Sequence, residues 1–204
     1  MIDVKRDGDL WNVTLNRPNK ANALSSQMLE TLIEIVEEAH GQAKAVVLTG
    51  TGSVFCAGAD LDEAQTGLAT SALWEALSKA VLSLPCLTVC ALNGTLAGGA
   101  FGMALACDIR ICVPQTKFFY PVMRLGFLPQ PSDAKRLTQL IGPSRSKMIL
   151  MAGEKIDSTE ALAWGLVDRI VAPQDLMQVA QALSAQALTA KRSHSRGIKG
   201  LASL

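Results

Sequence analysis

Short β-type runs alternate with helical patterns along the 204 residues, and that order predicts an α/β fold with mainly parallel sheets. Three stretches carry the prediction. "KAVVLTG" (Lys44–Gly50) is a continuous apolar run, as in a parallel strand buried on both faces. Just before it, Met28, Leu29, Leu32, Ile33, Val36 and Ala39 recur at helical spacing. "ALNGTLAGGAFGMALACDI" (Ala91–Ile109) sets a Gly pair at the opening of an apolar helix, with strand-like runs on either side.

The remaining elements follow in order. Trp11, Val13 and Leu15 alternate with polar residues, as in a half-buried strand. A helix starts at Ser26, and another fits Ser71–Leu84. "LTVCALN" (Leu87–Asn93) and "DIRICV" (Asp108–Val113) read as strands flanking the Gly-rich helix. Helical patterns then cover Pro131 to Ile141, Ser144–Met151, Ser158–Trp164 and Asp175–Leu188. The expected organisation is one domain over residues 1–190 and a short basic tail over 191–204, solvated or frayed.

Composition narrows the function classes. Lys plus Arg is 19 and Asp plus Glu is 18, so the formal net charge is +1 and gives no electrostatic case for a nucleic-acid or anionic-membrane partner. Few charges and a positive mean hydropathy suggest apolar surface covered by other subunits. Cys56, Cys86, Cys90, Cys107 and Cys112 are odd in number and never spaced C-x-x-C. With only His40 and His194 beside them, no metal site is expected, and the thiols read as reduced cysteines of a cytoplasmic protein. The charged start "MIDVKRDGDLW" is unlike a signal peptide, and no run is long enough to span a membrane.

"AGAD" (Ala57–Asp60) places small residues where backbone N–H groups can approach a ligand closely. "GTGSVF" before it lacks the full G-x-G-x-x-G pattern and is not a dinucleotide fingerprint. Three stretches in fixed order, "LNRPNKANALS" (Leu15–Ser25), "GTGSVFCAGADLDE" (Gly50–Glu63) and "ALNGTLAGGAFGMALACDIRI" (Ala91–Ile111), resemble the enoyl-CoA hydratase/isomerase (crotonase) superfamily. "PVMRLGFLP", "KRLTQLIG" and "EALAWGLVDRIV" continue the match, so the resemblance covers roughly residues 2–190.

The resemblance implies a crotonase-like spiral of β-β-α units with a shortened C-terminal helical region. It implies an acyl-CoA thioester as partner, no cofactor beyond the coenzyme A of the substrate, and a homo-oligomer, a trimer or a hexamer made of two trimers. It assigns one oxyanion-hole N–H to Ala59 and the other to Gly99, where a helix start adds a positive dipole end. Lys20, Ala21, Ala57, Asp60 and Leu61 should line the CoA site, several through main chain, and Asp60 also suits a helix N-terminus.

The chain departs from the pattern where family hydratases carry two glutamates, since Gly102 and Val122 stand there. Isomerase-type and dehalogenase-type relatives place acids at positions matching Arg124 or lying near Gln130. The nearest acid is Asp133 in "PQPSDAKRL", a region where the family usually has glycines. It is either a helix-start residue or, if desolvated, an acid/base. Cys56 and Cys107 read as small buried hydrophobes, and His194 as exposed.

The favoured function is a CoA-thioester enzyme of lyase or isomerase type in fatty acid metabolism, with little or no crotonyl-CoA hydratase activity. The alternative is a non-catalytic acyl-CoA-binding protein or oligomer partner. On the resemblance, Gly102→Glu with Val122→Glu should create or raise hydration.

Overall fold

The computed structural model describes residues 1–202. The chain opens with an antiparallel pair, β1 (Ile2–Asp7) and β2 (Leu10–Leu15). Helix α1 (Ser26–Gln42) follows, its first turn capped by Ser25, whose hydroxyl accepts from the Met28 N–H at 3.2 Å. The face Met28, Leu29, Leu32, Val36 and Ala39 is buried, as the spacing predicts.

From there the chain steps between two sheets. Strand β3 (Ala45–Gly50) lies in the first and β4 (Val54–Cys56) in the second, before helices α2 (Leu61–Ala64) and α3 (Leu73–Ser83). The next turn repeats the step with β5 (Leu87–Leu92), β6 (Thr95–Ala97) and α4 (Phe101–Ala106). A third brings β7 (Ile109–Cys112), β8 (Lys117–Phe119), α5 (Val122–Leu125) and α6 (Pro131–Leu150). Two-residue strands β9 (Ile156–Asp157) and β10 (Arg169–Ile170) flank α7 (Ser158–Trp164), and α8 (Leu176–Thr189) and α9 (Arg192–Ala202) follow. The first sheet runs β1-β2-β3-β5-β7-β10 and the second β4-β6-β8-β9. All pairings after the opening hairpin are parallel except β8 with β9.

Two side-chain amides, the half-buried Asn93 and the buried Asn22, fix the step from sheet to sheet. Asn93 accepts from the Gly50 N–H at 2.9 Å and donates to the Gly52 carbonyl at 2.8 Å, tying two successive turns of the spiral. Asn22 donates to the Thr51 and Val54 carbonyls at 2.9 and 2.8 Å from beneath the same loop. Gly94 is crowded here, because a Cβ would collide with the Ser53 carbonyl.

The larger core lies between the sheets and helices α1, α3, α4 and α6, and a smaller one packs β3, β5 and β7 against α8. The expected strands at Lys44–Gly50 and Leu87–Asn93 are β3 and β5, parallel to each other. The two helices expected around residue 142 meet at a break in α6, where Gly142 adopts φ 81° and ψ 164°. The C-terminal stretch departs from the frayed tail expected of it. It forms α9, held by Arg192 on Asp9 at 2.7 Å and by Lys199 on the Cys86 carbonyl and Asp108 at 2.9 Å each. Ser203 and Leu204, also part of that expected tail, lie outside the described residues. Among the described residues no helix is long and apolar enough to cross a membrane.

Candidate active site

Strands β4, β6 and β8 lie side by side and parallel, so their C-terminal ends open onto one place. The segments that leave them line a cavity of about 240 Å³: Ala57, Gly58, Ala59 and Leu61 after β4, Gly98 and Gly99 after β6, and most of the segment from Tyr120 to Leu128 after β8. Gly58, at φ +96°, lets the first two exits meet, since a Cβ there would stand 3.1 Å from the Ala97 carbonyl. Two larger cavities, about 410 and 540 Å³, lie beside α9 and contain none of the predicted site residues.

The peptides on either side of Ala59 are clamped. Leu24 N–H donates to the Gly58 carbonyl and Asp60 N–H to the Leu24 carbonyl, each at 2.8 Å. The Ala59 N–H has no partner among the described residues, and Ala59 is half-buried at the cavity wall. Gly99 sits in the 3₁₀ turn Gly98–Ala100 that leads into α4, where first-turn N–H groups have no intrahelical acceptor. The sequence therefore brings Ala59 and Gly99 to one cavity, as expected. It also packs Trp74 beneath them, its indole N–H anchored on the Leu68 carbonyl at 2.7 Å. A Cβ on Gly99 would meet that ring at 2.9 Å.

Of the expected CoA-site residues, Ala57 and Leu61 line the cavity, and Leu61 is 79% exposed. Lys20 and Ala21 do not, although Ala21 is joined to the rim by the Ala57 N–H at 3.1 Å. Asp60 turns away: its carboxylate accepts from the Asp62 N–H at 3.0 Å and takes an Arg17 ion pair at 2.7 Å. Arg17 holds that carboxyl below the usual range, so Asp60 is an ionised cap of α2.

Cys56 and Cys107 are buried, and burial pushes the Cys56 thiol up to about 12, far from a thiolate. His194 is exposed, and Arg124 is an exposed residue on the cavity rim.

Asp133 occupies the third position of α6 and is only 2% exposed. It stands outside the cavity wall and is reached through Tyr120, whose hydroxyl donates to its Oδ2 at 3.0 Å. Its Oδ1 is buried without a partner among the described residues. A Cβ on Gly102 would lie 2.8 Å from that oxygen, so the Asp133 carboxyl fills the space beside Gly102. Burial pushes Asp133 up to about 7, although the Tyr120 hydrogen bond opposes it. Tyr120 escaped the sequence reading because its signal is weak. It is the chain's one tyrosine, next to Pro121, in a turn where only the absent carboxylate drew attention.

Comparison with known proteins gives the same answer. The family model described as enoyl-CoA hydratase/isomerase matches residues 5–202. The Bacillus subtilis (strain 168) protein YngF, named as an enoyl-CoA hydratase/isomerase, is 38% identical over 181 residues, 85% of this chain and 70% of its own. A short-chain-enoyl-CoA hydratase of Clostridium acetobutylicum is 32% identical over 191 residues, 90% of this chain and 73% of its own. The crystal structure of an enoyl-CoA hydratase from Bacillus anthracis superposes with a TM-score of 0.90 at 29% identity, covering 98% of this chain and 81% of that one. The span matched by the family model includes Ala59, Gly98, Gly99 and all of α9. With this crotonase fold and that family match, the chain belongs to the enoyl-CoA hydratase/isomerase family.

Proposed function

We propose that this chain binds acyl-CoA thioesters and stabilises an enolate through the N–H groups of Ala59 and Gly99. The observation that carries the reading is the Ala59 N–H, unpaired among the described residues and held between two 2.8 Å backbone bonds at the wall of a cavity shared with Gly99. Donors fixed in advance need no reorganisation when charge develops, and removing one such donor costs about 3–4 kcal/mol of transition-state stabilisation. The reaction is of lyase or isomerase type rather than crotonyl-CoA hydration. Adding water across a double bond needs an acid and a base, and Gly102 and Val122 supply neither at the family's positions. Asp133 is the acid/base candidate.

A second reading, a non-catalytic acyl-CoA-binding protein, draws support from the same two positions, since Val122 is a buried apolar residue. Exposed Leu125 and Leu128 at the cavity, with exposed Met123 on the same segment, support assembly into a homo-oligomer, a trimer or hexamer, that covers them.

Calorimetry with butyryl-CoA, butyrate and free CoA tests the binding site. The thioester should bind more tightly than either fragment, and Gly99→Val should lose that binding. The added side chain would collide with the Trp74 ring, so circular dichroism must first show the variant folded. Equal binding of butyrate, or a folded variant with unchanged affinity, overturns the assignment.

A further inference from the structure

Resting on that reading of Ala59 and Gly99, we propose that Tyr120 exchanges a proton with the substrate's α-carbon and that Asp133 behind it stores the proton, in the space left by Gly102. Tyr120 lines the cavity that holds both N–H groups, whereas Asp133 does not. The phenol is aimed by its 3.0 Å bond to Asp133 Oδ2, and its ring stacks on Phe101 with centroids 5.4 Å apart. The other carboxyl oxygen is buried and unpaired beside Gly102, where any side chain would displace it. Burying a carboxyl oxygen without a hydrogen bond costs folding energy, most of all in the ionised form.

The step balances without a co-reactant. The Cα–H bond breaks, and Tyr120 Oη takes that proton as it releases its own to Asp133 Oδ2. The C–H electron pair becomes the enolate, its oxygen facing the Ala59 and Gly99 N–H groups. Negative charge thus moves from Asp133 to the thioester oxygen, and the reverse step returns a proton to the carbon.

Charges around the carboxyl suit this exchange. Glu75 on α3, which accepts the Ser132 N–H at 2.9 Å, disfavours a second negative charge. Arg136 on α6, bonded to the Ser78 and Ser132 hydroxyls at 2.9 and 3.1 Å, favours it. From α4, the uncharged Gly102 and Phe101 pack against the pair. With burial the largest influence, Asp133 titrates at about 7, so both protonation states are populated near neutrality. Burial and Asp133 together hold the Tyr120 phenol well above its ordinary range, so it passes a proton on rather than resting as a phenolate.

The test is deuterium incorporation at the α-carbon of butyryl-CoA in D₂O, followed by mass, alongside calorimetric binding of the same compound. The unmodified protein should exchange, with a rate that rises with pH and levels above about 7. Tyr120→Phe, which keeps the ring on Phe101, and Asp133→Asn should each slow exchange at least ~100-fold while binding stays within a few-fold. The residual rate of Asp133→Asn should lose the rise with pH, which a structural defect alone would not remove. Unslowed exchange by Tyr120→Phe overturns the relay, and so does binding without exchange by the unmodified protein. Failure of the unmodified protein to bind overturns the site reading itself, and the relay with it.

Discussion

By resemblance Gly102 matches a hydratase glutamate, and in the fold another residue's carboxyl fills the space beside it. The Asp133 carboxyl stands 2.8 Å from the point a Cβ would occupy. Resemblance alone implies that Gly102→Glu with Val122→Glu should raise hydration, but with Asp133 in that space the double variant should stay inactive as a hydratase. It would overpack a buried site and set the added carboxyls against that of Asp133, lowering stability by roughly 1–3 kcal/mol. Adding Asp133→Gly removes the obstruction. The triple variant should hydrate crotonyl-CoA at least ~100-fold faster than the double variant, measured by loss of the enoyl absorbance. Equal rates in the two would refute the idea that Asp133 holds the glutamate's place.

At the scale of elements, α6 shows how one residue sets the direction of two packed pieces. Its first half carries Ser132, Asp133 and Arg136 toward α3 and α4, and its second half carries Ser146 and Ile149 into the core. The pivot is Gly142, at φ 81° and ψ 164°, with Pro143 ready to start the second half. Nothing lies within 4 Å of a Cβ at Gly142. Gly142→Ala should therefore cost about 1–3 kcal/mol through backbone strain and not through crowding. Urea unfolding measures it, and a loss below about 0.5 kcal/mol would show that the bend tolerates an ordinary residue. The capping box of α7, Asp157 with Glu160, fixes an end in the opposite manner, by side-chain bonds at 2.9 and 3.1 Å.

For the molecule as a whole, the buried carboxyl makes stability depend on pH. Unfolded, Asp133 releases its proton near the ordinary 3.8, and folded it does so at about 7. Between those values the native protein holds a proton that the unfolded chain has released, so this contribution to stability falls as pH rises. The effect is on the order of a few kcal/mol across the window. Asp60 acts in the opposite sense and lower down, its ion pair with Arg17 losing its contribution as pH drops below the ordinary carboxylate range. Thermal melts from pH 4 to 8 should show the Asp133→Asn variant gaining on the unmodified protein as pH rises. A constant difference between the two would mean that Asp133 titrates normally.

The sequence by itself determined the parallel α/β scaffold, because β3, β5 and α1 write their burial directly in runs and periods of apolar residues. Resemblance singled out Ala59 and Gly99 as the proposed oxyanion pair, and both lie in short motifs of small residues that line one cavity in the fold. The strands β4, β6 and β8 were not legible, being three residues each and too short for any period to register. Edge strand β1, with four charged residues in six, carried no apolar signal. Likewise α9 is polar on its own terms, and its place depends on Arg192 and Lys199 reaching residues far back in the chain. Only the tertiary structure decided what Asp133 is. Its partners Tyr120 and Gly102 stand 13 and 31 positions away in the sequence, and the low-dielectric site that raises its pKa exists only once α3, α4 and α6 have closed around it.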